Sequence, residues 1–85
     1  MNIFDFKKLS MFIDLLVGAG LPVKSIAFGC FTFIFFDARH MDAGECYELL
    51  WAVLDRIDFD VTISNTDRNF PYLIISDYGA KNRSV

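Results

Sequence analysis

Eighty-five residues, 54% hydrophobic and 22% charged with a net charge of −3, make one small folded domain the natural reading. High apolar content at low net charge excludes disorder, and five Gly, two Pro and two Cys exclude collagenous and disulfide-dense classes. Ten Phe, three Tyr and one Trp are many for a chain with so little interior, so some apolar surface is expected to remain for a partner.

The first predicted element is a helix over residues 2–19, with Asn2 able to cap it and Gly18-Ala19-Gly20 and then Pro22 ending it. A turn of about 100° per residue puts Phe6, Leu9, Phe12, Ile13 and Leu16 on one broad face. Lys7, Ser10 and Asp14 form a narrow polar stripe. Phe4, Met11 and Leu15 fall on a third side broken by Lys8, and a helix apolar nearly all round is covered on more than one side.

Val23 to Phe36 reads as one long strand or as a hairpin. A single strand would need cover on both faces, so a hairpin turning at Gly29-Cys30 is the better reading, with Gly first in a type II′ turn. That two-residue turn pairs Phe28 with Phe31 and Ile26 with Phe33. Phe28, Phe31, Phe33 and Phe35 then face inward, and Ser25, Ala27, Thr32 and Ile34 face outward.

The second helix is the clearest element. Asp42 and Glu45 have the spacing of a capping box, and Met41 and Cys46 that of a hydrophobic staple. Cys46, Leu49, Leu50, Val53, Leu54 and Ile57 form its apolar face, with Glu48, Asp55 and Asp58 opposite and Trp51 at the boundary. Val61 and Ile63 alternate with polar residues as a half-buried strand, Asn65 to Asn69 form a polar turn, and Tyr72 to Ser76 form the last strand. The fold expected is an α+β two-layer sandwich of order α-β-β-α-β-β, with two helices on one face of a four-stranded, mainly antiparallel sheet. Moving the last strand to the front gives β-α-β-β-α-β, so the arrangement is a permuted ferredoxin-like one. Residues 1–78 form the domain and 79–85 a tail.

No apolar run approaches the ~20 residues of a membrane span, and Asp5 and Asp14 argue against an export signal around Lys7-Lys8. Cys30 and Cys46 could pair, but a chain with this much core needs no staple, so reduced thiols and a cytoplasmic location are expected.

Chemistry-bearing patterns are sparse. His40 between Asp37 and Asp42 could act as an oriented base, but Asp42 is needed as a helix cap and Arg39 can pair with Asp37. Cys30, His40 and Cys46 match no compact metal-ligand spacing, so no metal or cofactor is expected. Nucleic-acid binding lacks the cationic surface that phosphates require, since eight Lys and Arg are scattered among eleven acids. The more suggestive surfaces are Trp51 with Glu48, Asp55 and Asp58, which could anchor a basic protein partner, and Phe4, Met11 and Leu15, which could join two copies. The leading expectation is a non-enzymatic, dimeric protein-binding module, a regulator or inhibitor of the kind small acidic proteins of phages and mobile elements often are. The alternatives are a carrier with an apolar pocket between helices and sheet, and a small enzyme using the Asp37–His40–Asp42 loop.

Overall fold

A computed structural model describes residues 6–76. Its elements are α1 (Phe6–Gly18), β1 (Val23–Phe28), β2 (Thr32–Phe36), α2 (Ala43–Leu54), β3 (Thr62–Asn65) and β4 (Pro71–Ile75). The four strands form one antiparallel sheet in the order β1-β2-β4-β3. Thus β2 and β3 run parallel with β4 between them, and α2 makes the crossover. The molecule is the α+β sandwich the sequence pattern calls for. The expected Asn2 cap, Phe4 and the tail lie outside the described residues, and no helix among those described is long and apolar enough to cross a membrane.

α1 ends in a hydrogen-bonded cap that explains its Gly-rich exit. Leu21 N–H donates to the Leu16 carbonyl and Gly20 N–H to that of Val17, both at 3.0 Å, while Gly20 has φ of 95°. This is the Schellman pattern, which needs a left-handed residue after the helix, and Leu21 completes it by burying its side chain. Burial along α1 starts only at Leu9, continuing through Phe12 and Leu16. Phe6, placed on the inward face by helical spacing, is 69% exposed, because the spacing fixes direction but not how far the neighbouring layer extends.

α2 begins as the sequence indicates. The Asp42 carboxylate accepts from Glu45 N–H at 2.8 Å, satisfying one of the helix's unpaired donors. Asp42→Ala should cost about 1 kcal/mol and lower the melting temperature by ~4–8 °C in a thermal unfolding scan. Cys46, Leu50, Val53 and Leu54 are buried beneath it. Burial pushes the Cys46 thiol up to about 11, whereas Cys30 is exposed in the β1–β2 turn.

The hairpin is present, but its register differs from the expected one. Phe28 pairs with Thr32 and Ile26 with Ile34, so the loop is three residues long, Gly29-Cys30-Phe31. One extra loop residue shifts β2 by one position and exchanges its two faces. Thr32 at 4% and Ile34 at 0% exposure point to the helices, opposite to the expected arrangement. Phe33 and Phe35 lie half-buried on the other side, Phe31 is 45% exposed in the loop, and Phe28 is 61% exposed at the hairpin end. In the segment TFIFF both faces are apolar, so its pattern cannot set the register and the loop decides it.

Two loop aromatics close the core. Phe59, between α2 and β3, meets Phe12 edge to face at 5.4 Å, and Phe70 is buried just before β4. Ahead of Phe70, Thr66 Oγ1 accepts from Arg68 and Phe70 N–H, and Asn69 takes a φ of 60°, which Asn tolerates better than most residues.

Candidate interaction surfaces

Among the described residues, the sheet is covered by helices on one side only. Its other side carries two cross-strand rows, Ala27-Phe33-Ile74-Thr62 and Ser25-Phe35-Tyr72-Ser64. None of these eight residues is charged. The central strands supply the apolar groups and the edge strands supply small or polar ones, the layout of a protein interface with an apolar centre and a polar rim. Phe33 stacks on Phe35 at 6.3 Å and Phe35 on Tyr72 at 5.2 Å, while Phe31 meets Phe33 edge-on at 6.4 Å. A depression of 460 Å³ lies between these rings and Asn65, Thr66 and Asp67 of the β3–β4 loop. The sequence reading missed this surface because the assumed turn put both phenylalanines inside.

On the helical layer, a groove of 540 Å³ runs between α1 and the segment after α2. Met11, Phe12, Leu15, Ile57 and Phe59 supply apolar surface, with Lys7, Lys8 and Arg56 alongside. Met11 is 59% exposed. Among the described residues, Asp58 is the one acid lining the groove, and its carboxylate is 3.9 Å from Lys8 Nζ; at such exposure the pair is weak. Lys8 also lies 6.0 Å from the centre of the Phe59 ring.

Beyond Ile57 and Phe59, which line both sites, is a smaller notch of 180 Å³ with Trp51, Asp55 and Asp60. Trp51 is 59% exposed, and among the described residues no basic one lines the notch. Glu48, one turn earlier on α2, continues the stripe. The structure therefore divides the four acidic-face residues singled out from the sequence. Glu48, Trp51 and Asp55 share the helix stripe, whereas Asp58 faces the basic groove. Met11 and Leu15 lie together in that groove.

The Asp37–His40 loop has the geometry of a fastener. The Asp37 carboxylate accepts from Arg39 N–H, Nε and Nη2, each at 3.0 Å, and lies 3.0 Å from His40 Nδ1. Hydrogen bonds from the Arg39 side chain and then its backbone hold the Asp37 carboxyl well below the usual carboxylate range. Asp37 N–H also donates to the Pro22 carbonyl at 2.8 Å, tying this loop to the start of β1. Asp42 is occupied as the α2 cap.

A carboxyl with a lowered folded-state pKa stabilises the fold fully above its unfolded value of about 3.9, and that stabilisation is lost as pH falls from there. The stability gap between wild type and Asp37→Asn, measured by urea unfolding, should therefore shrink progressively as pH falls below about 4. A gap that widened over that acid range would contradict the assignment.

Cys30 lies in the β1–β2 turn, His40 beyond the far end of β2, and Cys46 under α2, and no group of three or more metal-ligating His, Cys, Asp or Glu occurs among the described residues. No protein-family model, curated protein or solved structure matches this chain.

Proposed function

We propose that the protein is a non-enzymatic binding module that occupies a partner protein's surface with the uncovered face of its sheet. The observation that supports this is the combination of three stacked rings at the centre of that face with no charge at any of its eight positions. In a chain that is 22% charged, such a face matches an uncharged, apolar protein surface. It is a poor match for phosphates, which need cations. Partner binding by this face would regulate or inhibit by covering what the partner otherwise uses.

The test adds charge to the face without removing packing, at the exposed edge residues Ser25 and Ala27. Wild type, Ala27→Arg and Ser25→Arg are used as baits in a lysate of the source cell with a lysine-reactive cross-linker. The reading expects a partner that wild type retains and both variants lose, cross-linked through Lys24, which lies beside Phe35 at the end of the face. A partner captured equally by all three baits, or cross-linked through Lys7 and Lys8, would overturn it.

A further inference from the structure

We infer that the basic groove beside α1 and the acidic Trp51 notch beside α2 are the two halves of one self-complementary interface, and that its occupant is a second copy of this chain. The groove brings together three of the six Lys and Arg among residues 6–76, set around apolar surface that includes the exposed Met11. The notch offers the opposite chemistry, an exposed indole flanked by Asp55 and Asp60 with Glu48 one turn away. Each surface is what the other would recognise. Both are bounded by Ile57 and Phe59, so they adjoin. Adjoining complementary halves allow a two-fold arrangement, in which each Trp51 enters the other copy's groove and the same contact is made twice.

Helix electrostatics favour the same pairing. α2 has no basic residue in its last turn and ends on Asp55, so an acid stands at the negative end of the helix. That arrangement is locally unfavourable, and it is relieved when a cation arrives from a second copy. The sheet faces remain outside this interface, so the inference stands or falls separately from the proposed function, and a dimer would present two such faces.

Charge reversal tests it. Lys7→Glu/Lys8→Glu makes both halves acidic, and Glu48→Lys/Asp55→Lys makes both basic. Circular dichroism checks that each variant is folded; Lys7, Glu48 and Asp55 are exposed and Lys8 is half-buried. Sedimentation should show wild type dimerising, each variant alone dimerising at least about tenfold more weakly, and the two mixed together restoring a heterodimer near wild-type affinity. Trp51, the chain's single tryptophan, gives an independent readout, because its emission should shift to the blue as wild type is concentrated. A wild type that stays monomeric at hundreds of micromolar would overturn the inference. So would a dimer unaffected by either reversal, a dimer lost instead on Ala27→Arg, or a groove already filled by a copurifying acyl ligand in native mass spectrometry.

Discussion

Ile34→Asp is expected to leave the chain unfolded, while Phe33→Thr, one residue away, yields a folded protein. Ile34 is 0% exposed on a central strand, paired with Ile26 on one side and Leu73 on the other. Replacing it forfeits about 1.5–3 kcal/mol of apolar burial. It also puts a carboxyl into the core with no partner, at a cost of several kcal/mol more. A domain of this size holds roughly 4–13 kcal/mol in total, so the change consumes most or all of it. Phe33 stands on the open face and is only half-buried. Its loss costs on the order of 1 kcal/mol by area, and Thr keeps the strand's β-branched preference. Circular dichroism with urea titration separates the two results. Folded Ile34→Asp together with unfolded Phe33→Thr would restore the two-residue turn and its inverted faces.

The second large effect is expected at Phe12. Its side chain is 1% exposed and packs edge to face on Phe59, joining α1 to the segment that follows α2. Phe12→Ala should cost ~3–5 kcal/mol, including the cavity left behind. At about 4–8 °C per kcal/mol the melting temperature should fall on the order of 20 °C. The edge-to-face contact contributes ~0.5–1.5 kcal/mol beyond burial. Phe59→Ala should therefore cost less in the Phe12→Ala background than alone, because the partners are in direct contact. Additive losses in urea unfolding would mean that the two rings act independently. Phe12 also forms a wall of the basic groove, so its truncation should weaken self-association in any population that remains folded.

The limits of the sequence are visible at particular residues. The helical spacing of Leu9, Phe12 and Leu16 corresponds to real burial, as does that of Cys46, Leu50 and Val53. Asp42, Glu45, Gly20 and Pro22 mark helix ends through local hydrogen bonding and φ preference, which act within a few residues. Phe59 and Phe70 escaped notice because each is a single aromatic in a polar loop, with no period to reveal it. The only hint is that an isolated large ring in such a loop is seldom left in water. Phe6 misled in the opposite sense, being aligned with the buried stripe yet 69% exposed.

For the candidate surfaces the division is similar. Trp51 with Glu48 and Asp55 was legible because neighbours at three and four residues' spacing share a helix face. The basic groove was not, since Lys7, Lys8 and Arg56 are far apart in sequence and meet only when α1 packs beside the segment after α2. The aromatic sheet face was hidden by a single loop residue.

The surplus of aromatic residues was a property of the chain alone, as were the order α-β-β-α-β-β, the Gly-rich end of α1, the Asp42 cap of α2 and the core stripes. These follow from composition, local geometry and periodicity, which need no contact between distant residues. Tertiary structure decided which phenylalanines that surplus leaves outside. In a strand apolar on both faces, side-chain pattern is silent about direction, and only pairing with β1 and β4 under the helices selects Ile34 for the core and Phe33 and Phe35 for the open face.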